Sequence, residues 1–185
     1  MKLYYAPGTI SIAVAIVLEE SGLDYTAQRL DFSNSEQLGT PYASINPKGR
    51  VPALDTGSTI LTETGAILEY VATLNQNLMP PDPLQAAKAR AVMYYLASTM
   101  HVNHAHKMRG SRWADKQESW SDMTDKVPRT MADSATYVEA NCIQGPYVLG
   151  DTFCIADAYL YLVCTWLPGD GVDLAPFPRI RCKTS

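Results

Sequence analysis

Two stretches hold the residue types from which a binding site can be built. In Ile45-Asn-Pro-Lys-Gly-Arg-Val-Pro-Ala-Leu54, a turn leads into a short apolar strand interrupted by Pro52. Proline removes a ladder donor and fixes φ, so its presence in a strand needs a reason. One good reason is that it leaves the backbone of Val51 free to pair with an extended peptide ligand. In Leu61-Thr-Glu-Thr-Gly-Ala-Ile-Leu68, a second apolar segment enters a helix that begins with Glu63, Thr64 and Gly65. A helix start offers free N–H groups and a positive dipole end to a carboxylate. The same residue types also make ordinary helix caps, which is the plainer reading of Glu63 and Thr64 taken alone. Together the two stretches point to an anionic, peptide-like small molecule.

Other residues with chemical potential exclude more than they suggest. His101, His104 and His106 invite a metal reading. On a helix the first two share a face, but His106 lies roughly 200° from His104. No acidic or cysteine ligand stands at suitable spacing nearby, so no metal is expected. Cys142, Cys154, Cys164 and Cys182 form no Cys-x-x-Cys and no zinc pattern. They read as reduced, mostly buried thiols of a cytosolic protein.

The elements that must position these residues follow from periodicity. Lys2 to Tyr5 is a short strand ended by Pro7-Gly8. Thr9 or Ser11 then caps a helix to about Glu20, with apolar residues at 10, 13, 14, 17 and 18. Tyr25 to Phe32 reads as a second strand, which completes a βαβ unit with parallel pairing. Strands around Val51–Leu54 and Thr59–Leu61 form an antiparallel hairpin. A helix from Thr64 to about Asn75 follows. This closes a compact α/β domain over residues 1–76, and the proline-rich stretch 77–84 is a linker. From 85 to 185 the pattern is helical: one long helix from Gln85 to about Lys107, at least one within 113–141 broken or started near Pro128, and an apolar one from Cys154 to about Leu167.

Composition bounds the partners. The 185 residues, 46% hydrophobic and 18% charged, describe a soluble globular protein of one ordinary domain or two small ones. A formal charge of −4 argues against nucleic acid or an anionic membrane as partner. The apolar run Ile10–Leu18 is too short to span a bilayer. It also lacks the flanks and cleavage site of a signal peptide, so a buried helix is expected there.

These residues resemble a known family. Met1-Lys-Leu-Tyr-Tyr, Asn-Pro-Lys-Gly-Arg-Val-Pro-Ala-Leu, Glu-Thr-Gly-Ala-Ile-Leu-Glu-Tyr and Gly150-Asp-Thr-Phe-Cys-Ile-Ala-Asp-Ala-Tyr159 resemble the cytosolic glutathione S-transferases, most closely their bacterial, beta-like members. The blocks stand in family order across nearly the whole chain. The resemblance implies a thioredoxin-like N-terminal domain, an all-helical C-terminal domain, a homodimer and a cytoplasmic location. It makes glutathione the co-substrate, paired with the backbone of Val51 beside a cis Pro52, its γ-glutamyl group held by Glu63 and Thr64. Ser98 and His101 fall where relatives line the cleft from the second domain. Tyr94, Met108 and Trp113 stand with His101 around the electrophile pocket. Cys154-Ile-Ala-Asp157 occupies the family's capping box, with Asp157 bearing more of the cap because sulfur is a poor acceptor.

The reaction implied is conjugation of glutathione thiolate to a small hydrophobic electrophile. A free thiol near pKa 8.5 is mostly protonated at neutral pH, so a donor at the start of the first helix must stabilise the anion. Many beta-like relatives carry cysteine where this chain has Ile10, which can neither donate nor form a disulfide. That leaves Ser11 first, Thr9 second and Tyr5 third as the activating hydroxyl. Two alternatives stand beside conjugation: glutathione-dependent peroxide or disulfide reduction, and a catalytically silent glutathione-binding module. Relatives usually continue with a further helix where this chain reaches Arg181–Ser185, so the C-terminus is short by the family pattern. A missing helix there would expose apolar surface on the second domain.

Overall fold

The structure is a computed structural model that describes residues 1–184. The chain divides into two compact units, Met1–Pro83 and the helical part from Leu84 onward.

In the first unit, β1 (Lys2–Tyr5), α1 (Ser11–Ser21) and β2 (Thr26–Arg29) form the expected βαβ unit, with β1 and β2 parallel. After a short 3₁₀ turn and α2 (Thr40–Ala43), β3 (Ala53–Asp55) pairs antiparallel with both β1 and β4 (Ile60–Thr62). The sheet order β2-β1-β3-β4 is that of a thioredoxin-like domain. α3 (Thr64–Leu74) follows β4 directly. Leu3 and Tyr4, neighbours on β1 and so on opposite faces of the sheet, are both buried, and α1 buries Ala13, Val14, Val17 and Leu18. α3 adds Ile67, Leu68 and Val71, all fully buried.

Three local expectations need correction. Pro52 does not interrupt a strand. The ladder begins one residue later, at Ala53, which does have an N–H to contribute. Glu63 is not the first helical residue but stands before α3 with φ 70° and ψ 120°, outside helical space. Neither Thr9 nor Ser11 caps α1: the residue at its N-cap is Ile10, with helical φ and ψ and no side-chain cap. The two hydroxyls instead bond one another and the preceding loop.

α4 (Pro83–Tyr95), whose first residue closes the first unit, runs through a π-helical turn at Leu96–Met100 into α5 (His101–Arg109). The expected single long helix is thus one path with its register shifted by a residue at the π turn. α6 (Gln117–Asn141) is continuous, with Pro128 inside it rather than at a break. Gly171, at φ +84°, lets the chain pass Pro128 where a Cβ would sit 3.3 Å from the proline ring. α7 (Ile155–Thr165) is almost wholly buried, and α8 (Pro178–Thr184) packs against α6 and α7. Both halves of the α7 capping box form, and Asp157 also accepts the Val148 N–H at 2.7 Å. No helix among the described residues is long and apolar enough to cross a membrane.

Burial governs the thiols. It pushes Cys142 up to about 11 and Cys154 and Cys164 up to about 12, while Cys182 lies exposed on α8. A thiol-labelling time course followed by intact mass should therefore show one fast adduct, at Cys182, with the other three thiols reacting only on denaturation. Fast labelling of two or more thiols in the folded protein would contradict this packing.

Candidate active site

Val51 and Pro52 lie between the α2–β3 loop and the first residue of β3, joined by a cis peptide bond. Val51 is 8% exposed and belongs to a core cluster with Tyr4, Ala6, Leu30, Tyr42 and Ala53. Its backbone hydrogen-bonds none of the described residues. The preceding carbonyl is held firmly: Arg50 O accepts from the Tyr42 hydroxyl and from Asn46 Nδ2, each at 2.7 Å. Burial pushes the Tyr42 phenol up to about 12, so it remains a protonated donor.

The start of α3 is open. No side chain caps it, and no described carbonyl takes the N–H groups of Thr64, Gly65 or Ala66. The Thr64 side chain is buried, whereas the Glu63 carboxylate is exposed and pairs with Lys48 Nζ at 2.6 Å. That ammonium also donates to Thr62 Oγ1 at 2.8 Å. Glu63 is one of two non-glycine residues with positive φ among those described. Such backbone is costly for an L-residue and clusters at ligand sites. Glu63 therefore presents a carboxylate, already matched to an ammonium, beside free helix N–H groups.

The start of α1 is closed in contrast. The N–H groups of Ile12 and Ala13 reach Thr9 O and Ile10 O at 3.1 Å, and the Ser11 N–H leans on Thr9 Oγ1 at 3.4 Å. Ser11 is fully buried: its oxygen accepts the Ala6 N–H at 3.1 Å and lies 2.7 Å from Thr9 Oγ1. Thr9 is partly exposed and donates to Ala6 O at 2.8 Å. The two hydroxyls thus form a chain from the buried Ala6 N–H, through Ser11, to a threonine that reaches the surface. Ile10 is buried, and Tyr5 ends β1 paired with Arg29.

In the second unit, Ser98 lies exposed on the π turn, and the His101 N–H bonds Leu96 O across that turn. His101 meets the Trp166 ring at 4.9 Å, and His104 stacks on the same indole at 4.2 Å. His104 is anchored through Nδ1 to the buried Asp170 carboxylate at 2.6 Å, with Lys107 alongside. Asp170 stands 66 positions away, so no local pattern in the sequence announces the pair. His106 packs edge-on against Trp113, and burial lowers its pKa, helped by Lys126. Tyr94, Met108 and Trp113 are exposed. Among the described residues no group of three or more His, Cys, Asp or Glu could hold a metal ion.

Comparison with known proteins adds to this geometry. The family model for the glutathione S-transferase N-terminal domain matches residues 1–73. The chain is 34% identical to glutathione S-transferase GstA of Escherichia coli O157:H7 over 90% of its own length and 82% of the relative's. It is 30% identical to maleylacetoacetate isomerase of Pseudomonas aeruginosa over 98% of this chain and 88% of that one. Among solved structures, a glutathione transferase homologue from Sulfitobacter with bound glutathione is 58% identical, with a TM-score of 0.96 over 98% of this chain and 89% of that one.

The hydroxyl network makes a testable distinction. Ser11→Ala leaves the buried Ala6 N–H without its acceptor and should cost about 1–3 kcal/mol of stability. Thr9→Val should cost less than about 1 kcal/mol, because Ala6 O keeps the Thr9 N–H. Urea unfolding of the two variants measures both, and equal losses would contradict the difference in burial.

Proposed function

We propose that this chain, which belongs to the glutathione S-transferase family, binds glutathione along Val51 and the start of α3 and transfers its thiolate to a small hydrophobic electrophile. The observation that carries the reading is the pairing of an unbonded Val51 backbone with an uncapped helix start, both in the unit that the family model matches. Val51 offers a peptide ligand strand-like hydrogen bonds beside Pro52. Thr64 and the first N–H groups of α3 suit the γ-glutamyl carboxylate, and Glu63 suits its ammonium. Glutathione in the Sulfitobacter relative supports the same ligand here.

Activation is assigned to the Thr9–Ser11 pair. The burial of Ser11 and the partial exposure of Thr9 favour Thr9 as the donor to sulfur, with Ser11 acting through it. When the Thr9 proton turns from Ala6 O to the thiolate, that carbonyl still keeps the Thr9 N–H at 3.4 Å. Ser11 can meanwhile donate to Thr9 Oγ1, so no buried group loses its last partner. Lowering a thiol by two pKa units needs about 2.7 kcal/mol. One charge-assisted hydrogen bond plus the dipole of α1 supplies a sum of that order.

Ser98 and His101 are proposed to face the electrophile, and homodimerisation and a cytoplasmic location belong to the same proposal. So does the beta-like placement within the family. The isomerase relative favours a second reading of the same chemistry, in which the thiolate adds to a conjugated double bond and leaves again. Thiol–disulfide exchange by the protein itself is disfavoured, since Ile10 replaces the cysteine at the helix start.

The test is retention on immobilised glutathione followed by conjugation of an activated aryl halide. Thr9→Val should be retained like the wild type yet conjugate about ten- to a hundred-fold more slowly, and Thr9→Ser should recover most of the rate. Full activity in Thr9→Val would remove Thr9 from the mechanism. No retention of the wild type would overturn the glutathione reading.

A further inference from the structure

We infer that Tyr42 and Asn46 are positioning residues for glutathione, aiming the Val51 N–H through the peptide plane that they hold by its Arg50 carbonyl. The inference rests on the glutathione reading and adds two residues outside the contact set.

The Arg50–Val51 bond is trans, since the cis bond of this segment lies one residue later. Arg50 C=O and Val51 N–H therefore belong to one rigid plane and point in opposite directions. Whatever fixes the oxygen fixes the line along which the N–H is offered. Here two side chains converge on it, the Tyr42 hydroxyl and Asn46 Nδ2, each at 2.7 Å.

Both donors are immobilised. Tyr42 is 3% exposed and Asn46 is 1% exposed. The Tyr42 ring lies 5.7 Å from that of Tyr4 on the central strand β1. The Asn46 amide is oriented by its other end, where Oδ1 accepts the Lys48 N–H at 3.2 Å. The donors are also tied to each other, because the Asn46 N–H bonds Tyr42 O at 2.9 Å. Two buried donors that converge on one oxygen fix its direction from two sides. Donation to a carbonyl also polarises its amide and strengthens the N–H on the far side. The clamp therefore both aims the Val51 donor and sharpens it.

Tyr42→Phe removes one donor with little change of shape, and Asn46→Asp sets a carboxylate oxygen against the carbonyl while keeping the acceptor for Lys48. Steady-state kinetics should show KM for glutathione raised about five-fold by Tyr42→Phe and more by Asn46→Asp. Turnover at saturating glutathione should stay within about two-fold, because the Thr9 network is untouched. A stability control, Leu54→Val in β3, should lower the melting temperature without moving KM. In amide NMR, the Val51 resonance should shift on addition of glutathione in the wild type, and shift less in Tyr42→Phe. Wild-type KM in either folded variant, or a KM rise of equal size in Leu54→Val, would overturn the positioning role. A wild type that fails to bind glutathione would overturn the underlying reading instead, so the two failures are told apart.

Discussion

Pro52 has no N–H to give a neighbouring strand, and the first unit is arranged around that missing donor. The β3 ladder starts at Ala53, and Val51 is left with a buried side chain and an unbonded backbone. A residue that is packed but unpaired is rigid and still able to bond. Tyr4, Tyr42 and Ala53 hold the Val51 side chain, and the Arg50 clamp holds its peptide plane. A ligand that pairs there need not order the loop first, which lowers the entropic cost of binding.

The two helix starts of this unit divide the remaining work by how they satisfy their own N–H groups. α3 leaves its first N–H groups open and follows Glu63, whose positive φ is expensive and whose carboxylate is already matched to an ammonium by Lys48. The exposure of both partners makes the Lys48 bridge worth only about 0–1 kcal/mol, so a ligand ammonium can displace it cheaply. α1 instead spends its N–H groups on its own turn and presents a hydroxyl backed by a second, buried hydroxyl. The first arrangement suits recognition of a fixed charge. The second suits a donor whose proton must reorient when a thiolate arrives.

Much of this was legible in the residues, and the parts that were not have physical reasons. The βαβ unit, the hairpin and α3 follow from periodicity and from the Pro-Gly and Asp-Thr-Gly-Ser breaks. The helical second half follows from the change of period after the prolines. Pro128 reads as a break or a start because proline lacks a helix N–H and crowds the preceding turn, yet α6 runs through it, and no local pattern announces that. The π turn at Leu96–Met100 likewise leaves apolar periodicity almost intact while moving His101 by one register. At the site, Val51, Pro52, Glu63 and Thr64 could be named from spacing and family pattern. The relative exposure of Thr9 and Ser11 could not, because residues two apart in a helix-entry turn are separated only by how the loop folds. Tyr42, Asn46 and the His104–Asp170 pair were also hidden, since each acts through a partner that spacing alone does not identify.

The central claim is that this fold binds glutathione and ionises it with a hydroxyl from the α1 entry. The most direct measurement is the pH titration of the glutathione thiolate by its ultraviolet absorbance in the binary complex. The account predicts a bound thiol with a pKa about two units below the free value near 8.5, and a return toward that value in Thr9→Val. A bound thiol that titrates like free glutathione in the wild type would contradict it.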